Sequence, residues 1–438
     1  MKKIRGLRYY IIALITAGTV LNYLARSSLS VAAPTLTHVL QVSTAQYSYV
    51  VAAFQAAYTV AQPIAGWILD HIGLRIGFAL FAVAWAAANM LHALATNWQG
   101  LAVFRGLLGF SEAAIFPAGL KAISAWFPKS ERSVAAGWIS FGAGFGSMLA
   151  PPIMVYCILN YGWQVGFAVT GGIALVWVAA WLLFYREPER HPRMAERELA
   201  VLRSEHAASG AAASGAAARP SFRSVIRQRN FWGIAAARFL TEPAWQTFSF
   251  WIPLYLVQVR HLDLKAIAAF AWLPFLAADL GAVVGGYLAS MVYRFTPVSL
   301  GASRKIVLTF GCLLMIGPGS IGLVSNAYVA ILLFCFGAFA HQCLSTCLYS
   351  LTVDSFDGKD VGTATGGAGM FGYGGGTLFS LLVGYLASKV GFNPLFACLA
   401  VFDLTAAAII WIVVRPRSDE PLERDTHATA DRLERAAR

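Results

Sequence analysis

The chain has 438 residues, 58% of them hydrophobic and 12% charged, with a formal net charge of +12. Soluble domains carry about a quarter charged residues, so this composition excludes a water-soluble globule and fits many membrane spans of about 20 residues each. In a soluble protein the basic balance would suggest nucleic acid. Here the Lys and Arg lie in loops and tails, which points to membrane topology and against a nucleic-acid partner.

In chain order, MKKIRGLRYY is basic and then apolar, as in a signal peptide. No AxA-like cleavage site follows at a convincing distance and the apolar run continues for a full span, so it reads as a retained first helix. Apolar runs of spanning length follow at roughly 9–33, 46–69, 76–95, 99–125, 133–159, 163–185, 230–258, 264–292, 305–325, 327–352, 360–388 and 392–414. They predict about twelve helices, because open strands leave backbone groups unsatisfied in lipid. The polar stretch 186–229, with its Ala/Gly/Ser-rich RSEHAASGAAASGAAARPS, is a flexible linker. The chain therefore divides into a six-helix bundle at 1–185, the linker at 186–229, a second six-helix bundle at 230–414 and a tail at 415–438.

With alternating spans, 26 of the 33 Lys and Arg fall on the side of the N-terminus, three fall opposite and four lie within spans. Positive residues concentrate on the cytoplasmic side, so both termini and the linker are expected there. Six helices, a linker and six helices is a secondary-transporter layout, with substrate bound between the halves near the midplane. The stretch Gly66–Asp70 at the end of the second run has a weak echo in Gly286–Ser290 at the end of the eighth. All six cysteines fall in apolar runs without metal spacing and read as buried free thiols.

A charge at mid-bilayer costs about 2.5–3.5 kcal/mol on insertion scales, so such residues need partners or a wet cavity. Eight qualify: Arg26, Arg105, Lys121 and Arg238 against Glu112, Glu242, Asp279 and Asp403. Four against four predicts pairing inside the bundle. In FRGLLGFSE, Arg105 and Glu112 stand two turns apart on one face, with Gly106 and Gly109 allowing another helix to come close. Glu112 is the better proton carrier, since burial raises and a neighbouring arginine lowers its proton affinity; the alternative is a fixed salt bridge to Arg105. In ARFLTEPAW, Arg238 and Glu242 are four apart, close enough to pair, and Pro243 is expected to bend the helix. Trp245, about a turn further on, suits stacking on a sugar ring. Asp279 is a second acid able to titrate or to answer Arg238. Asp403 reads as structural, and Lys121 as snorkelling toward the near surface. His341 and Gln342 lie in the tenth run, the histidine as a titrating group or a packed one. There is no metal or nucleophile constellation and no Walker A motif, so no enzyme activity, metal or cofactor is expected and ATP is not the energy source.

GWILDHIGLR (66–75) resembles the G-x-x-x-D-x-x-G-x-R signature of the major facilitator superfamily, in which Gly66, Asp70, Gly73 and Arg75 would serve as the gating motif. FRGLLGFSEAAIFP (104–117) and GAGFGSMLAPP (142–152) resemble its fourth- and fifth-helix motifs. LNYLARSSLSVAAPTL, AAYTVAQPIAGWILD, EAAIFPAGLKAISAWFP, RFLTEPAW and GAFAHQCLS resemble the anion:cation symporters, and among them the bacterial hexuronate transporters, over nearly the whole chain. The resemblance implies an all-α fold of twelve helices in two pseudo-symmetric bundles. It implies uptake of galacturonate and glucuronate with protons, by alternating access, in a protein expected to work as a monomer in the lipid bilayer. By motif, Arg26, Tyr23 and Tyr58 would face the sugar acid, Arg105 and Glu112 would serve proton coupling, and Arg238 would contact substrate from the seventh helix. Many relatives have an aspartate where this chain has Ala25, so proton work falls to Glu112 alone or is shared with Asp279 or Glu242.

On residue chemistry, Arg26 offers a planar fork for a carboxylate, and Asn22, Tyr23, Tyr58, Trp245 and Gln246 offer donors, acceptors and stacking faces. Another organic anion, such as an aldonate or a dicarboxylate, would suit the same fold. A membrane sensor would need a signalling extension, which the short linker and tail do not offer, and the arginine-bearing interior argues against an efflux pump for lipophilic drugs.

Overall fold

The computed structural model describes residues 6–128, 131–196, 198–200, 202–204, 222–356 and 360–415. Residues 1–5, most of the Ala/Gly/Ser stretch and the tail beyond Arg415 lie outside it, and so do several of the Lys and Arg counted above. The first half comprises α1 (Leu7–Val39), α2 (Thr44–Ile72), α3 (Leu74–Leu94), α4 (Trp98–Trp126), α5 (Arg132–Tyr161) and α6 (Trp163–Phe184). The second comprises α7 (Arg229–Gln258), α8 (Leu264–Phe295), α9 (Leu300–Leu323), α10 (Ala327–Ser355), α11 (Val361–Val390) and α12 (Asn393–Val413).

Among the described residues, 10 of these helices are long and apolar enough to cross a membrane. The other two, α2 and α7, are 29 and 30 residues long, but polar residues dilute them: Gln46, Ser48, Gln55, Thr59 and Gln62 in α2, and Arg238, Glu242 and Gln246 in α7. Several of these turn inward to the site described below.

The same pairing occurs twice. In the first half α1 packs on α5, α2 on α4 and α3 on α6; in the second, α7 packs on α11, α8 on α10 and α9 on α12. Lipid gives apolar helices no reason to associate, so close backbone approach at small residues has to hold them. A methyl group at Gly109 of α4 would collide with the Phe54 carbonyl of α2, and one at Gly281 of α8 with the Phe339 carbonyl of α10. A second repeat joins helix ends. Arg75 at the start of α3 donates to the Leu182 carbonyl in the last turn of α6, and Lys305 near the start of α9 donates to the Val414 carbonyl just past α12.

Three spans are broken, each for the same reason. Proline at position i removes a donor and crowds the carbonyl of i−4. The regular helix stops at Glu112, Phe270 and Leu314, next to or at the residue four before Pro117, Pro274 and Pro318. The bend expected at Pro243 is no break: α7 runs unbroken through Pro243 and Pro253. All six cysteines are free thiols, with Cys335 and Cys398 only partly buried.

The halves meet along α1 with α7, α2 with α11 and α5 with α8. At the end of the molecule away from the linker they touch closely. Tyr47 Oη donates to the Phe250 carbonyl at 2.9 Å, its ring lies 5.1 Å from that of Trp251, and Gly384 of α11 presses on Ser48 of α2. Gly66 lies on the same face of α2 as Ser48, five turns on, and Gly366 bears the same relation to Gly384. Nothing approaches within 4 Å of the place a Cβ would occupy at either Gly66 or Gly366. Among the described residues, the two helix faces that touch at Ser48 and Gly384 thus have no close neighbour at Gly66 and Gly366.

Candidate functional site

The midsection of α1, from Leu24 to Pro34, is buried throughout. At its start Tyr23, partly buried, shares one face with Arg26 and Ser27 at the spacing i, i+3 and i+4. Arg26 is 8% exposed. Its Nε donates to Glu112 Oε2 at 2.9 Å. Its guanidinium lies 4.5 Å from the Tyr23 ring, 4.7 Å from Tyr58 and 5.1 Å from Phe54. Nη2 is buried without a partner. The arginine is thus clamped along its Nε edge and between aromatic rings, with its outer edge uncommitted.

Glu112 closes the first segment of α4, at the break that Pro117 imposes. Sequence reasoning set it against Arg105 on the same helix, and the geometry corrects this partner. Arg105 Nη2 donates instead to the Arg26 backbone carbonyl at 2.6 Å, and its guanidinium lies 4.6 Å from Phe54. Both Arg105 and Glu112 are 0% exposed. Two buried guanidinium groups face one carboxylate, so the cluster has one positive charge in excess. In so poor a solvent for ions, that excess draws an anion.

A small cavity of about 40 Å³ adjoins this cluster. Tyr23, Arg26, Ser27, Phe54 and Ser147 line it from the first half, and Trp245, Gln246, Ser249, Phe250, Phe275 and Tyr373 from the second.

Arg238, Glu242 and Gln246 form a line one helical turn apart on α7. Arg238 Nη1 lies 3.6 Å from Glu242 Oε2, and Gln246 Nε2 donates to Glu242 Oε1 at 3.2 Å. Gln55 Nε2 of α2 donates to Gln246 Oε1 at 3.3 Å, which carries the line across to the first half. Arg238 also donates to Ser345 Oγ at 3.3 Å and sits 3.5 Å above the Tyr349 ring. It does not line the cavity, so its direct contact with a ligand is not what this arrangement provides.

The chain matches the Major Facilitator Superfamily over residues 15–319 and again over 298–436. It belongs to that superfamily. It is 49% identical to the hexuronate transporter of Escherichia coli K12 over 98% of both chains, and 50% identical to the galacturonate transporter of Dickeya chrysanthemi over 76% of this chain and 95% of that one. More distant likeness extends to a D-galactonate transporter of Escherichia coli O6:H1, 28% identical over 92% of this chain and 93% of the relative. In structure it resembles the xylose transporter XylE from E. coli in an inward-open conformation, with a TM-score of 0.74 at 15% identity, covering 94% of this chain and 98% of that one. That likeness shows the fold. The protein is a multi-pass membrane transporter of this superfamily and not an enzyme.

Of the other residues singled out by sequence, Tyr58 stacks on Tyr373 at 5.0 Å behind the cavity wall. Asn22 is 0% exposed, with neither amide atom hydrogen-bonded. Asp279 meets the backbone of Gly144 on α5, where the halves touch, and the ion pair of Arg238 is made by Glu242. Asp403 is 0% exposed with both carboxylate oxygens unpartnered.

In the superfamily signature, Asp70 pairs with Lys121 Nζ at 2.7 Å, and that lysine also donates to the Leu69 carbonyl at 2.8 Å. Lys121 thus reaches toward the near surface, as the sequence suggested, and there holds the exposed end of α2. Gly73, at φ 87°, makes the tight turn from α2 into α3, a backbone conformation that favours glycine. Among the described residues no group of three or more His, Cys, Asp and Glu is placed to hold a metal ion.

Sequence reasoning missed Ser27, Phe54, Ser147, Ser249, Phe250, Phe275 and Tyr373. Ser27 was within reach, one turn from Tyr23 on the face already marked by Arg26. The others are single small or aromatic residues in apolar runs, with no local signal.

Proposed function

We propose that this protein imports hexuronates, galacturonate and glucuronate, together with protons across the inner membrane of a bacterium, both termini lying in the cytoplasm. The observation that carries the reading is the geometry of Arg26, a cavity-lining arginine with a free outer edge beside a buried carboxylate. The names of the relatives at about half identity over most of the chain support the substrate class.

The proposed coupling runs through the arginine that proton carrier and substrate share. While Glu112 is ionised it holds the Nε edge of Arg26. Protonating Glu112 frees that edge, so the whole guanidinium fork turns to the incoming carboxylate and the anion binds with the proton already aboard. Arg105 holds the α1 backbone at this point and adds positive potential. When the linker end opens, loss of the proton restores the Glu112–Arg26 pair, which competes with the sugar acid and expels it.

One proton with one monoanion is electroneutral. Any further proton, carried by Glu242 or Asp279, would draw on the membrane potential, about 2.3 kcal/mol per charge per 100 mV. The test is uptake of radiolabelled galacturonate into proteoliposomes with and without an imposed inward proton gradient. Accumulation driven by the gradient and blocked by unlabelled glucuronate is expected. Absence of uptake overturns the substrate, and uptake indifferent to the gradient overturns the coupling.

A further inference from the structure

Trp245 sits on the cavity wall on the side of the second half, across from Arg26 on α1. Its indole lies parallel to the imidazole of His341 from α10, with centroids 5.9 Å apart and planes 13° apart. Phe275 from α8 meets the same indole edge-on, at 6.1 Å and 90°. His341 is 2% exposed and its Nδ1 has no hydrogen-bond partner. A buried imidazole with an idle nitrogen is not fixed in place by hydrogen bonding there; it is a flat ring packed behind another flat ring. The indole is thus held between the parallel, offset imidazole of His341 and the edge-on ring of Phe275, which lines the cavity with it.

Arg26 is the one cationic side chain among the residues lining the cavity. A site with one arginine at one wall and a flat aromatic plate at another fits a ligand with one carboxylate and one flat apolar face. A closed six-membered sugar ring offers such a face, because its axial C–H bonds line up on one side. An open-chain aldonate has no such face, since its carbons rotate freely. An aldarate brings a second carboxylate, which would be set against indole and phenyl rings with no second cation on the wall, an uncompensated burial of charge.

We propose that the Trp245–His341 stack makes this transporter select ring-form sugar acids with a single carboxylate over open-chain aldonates and aldarates. Trp245 is the specificity-determining residue and His341 the positioning residue that sets the plane of its indole. The inference rests on the hexuronate reading and sharpens it. It also gives a physical basis for a preference that the twelve-helix fold alone does not set, since relatives at 28% identity include transporters named for galactonate and for galactarate and glucarate.

The test is competition. Uptake of labelled galacturonate into proteoliposomes is inhibited with unlabelled galacturonate, galactonate or galactarate, and the ratio of inhibition constants is the readout. Wild type should prefer galacturonate. Trp245→Phe keeps a ring face and should keep most of the preference. Trp245→Leu should lose about threefold to tenfold of it, the range set by an aromatic stacking contact, with the galacturonate KM raised and the maximal rate little changed. His341→Leu should reduce the ratio in the same direction and His341→Phe should restore it, a pattern that loss of packing alone would not give.

Should Trp245→Leu not transport, its ratio is read from ligand-induced thermal stabilisation of the purified protein. Should it not fold, the His341→Leu and His341→Phe pair decides. An unchanged ratio in Trp245→Leu, or in both His341 variants, overturns the inference while leaving hexuronate uptake by the wild type intact. Absence of galacturonate uptake by the wild type overturns the functional reading instead.

Discussion

Arg26 and Glu112 are the residues on which the proposed chemistry turns, and their pairing yields two predictions. Arg26 is the cation of the cavity wall and the hydrogen-bonded partner of Glu112, whose charge Arg105 alone would then balance from beyond hydrogen-bond reach. Arg26→Ala should therefore abolish uptake and also lower the thermal stability of the purified protein. Arg26→Ala combined with Glu112→Gln leaves Arg105 buried without a counter-charge and should lower stability further, without recovering uptake. Retained uptake in the single variant would remove Arg26 from the substrate site. Glu112→Gln keeps the shape of the side chain and cannot ionise. It should lose accumulation driven by a proton gradient and keep exchange of internal for external substrate, measured by counterflow. Wild-type accumulation in this variant would rule out a proton role for Glu112. Sequence reading located both residues, because a charge in an apolar run announces itself. It mispaired them, because spacing along one helix ranks neighbours on that helix and says nothing of a partner 86 residues away.

At the scale of the helices, the long apolar runs told where the spans lie, and proline told where they break. Pro117 stops the first segment of α4 at Glu112, so the carboxylate sits at a helix end where the backbone has room to adjust. Pro117→Ala restores a backbone donor for the Ala113 carbonyl. It should extend the regular helix and weaken pH-dependent uptake while the protein still reaches the membrane; an unchanged pH profile would show that the break is not used. Close helix contacts yield a separate prediction. Gly281 of α8 lies against the Phe339 carbonyl, with no room for a Cβ. Gly281→Leu should therefore overpack α8 on α10 and cost about 1–3 kcal/mol, read as a lower unfolding temperature in detergent. The sequence marked α2 and α7 as apolar runs like the others. Their polar residues make sense only once the fold turns several of them toward the site between the halves.

At the scale of the whole molecule, the halves touch at Ser48 and Gly384 and have no close neighbour at Gly66 and Gly366, and that difference can be read out directly. With the native cysteines replaced, Ser48→Cys with Gly384→Cys should cross-link on oxidation and arrest uptake until the bond is reduced. Gly66→Cys with Gly366→Cys, on the same two helix faces five turns away, should cross-link only when the halves close at the linker end. Trapping both pairs equally well in one population without turnover would contradict rocking of two rigid halves.

What the sequence determined by itself was the set of spans, the split of the chain about a polar linker and the charges that lipid would not tolerate alone. Each is a local property, since burial in a membrane is decided by a window of about 20 residues. Only the tertiary structure decided that Glu112 answers Arg26, that Arg238 stands back from the cavity and that His341 lies parallel to Trp245. Those facts depend on contacts between distant helices, and no window along the chain contains both partners.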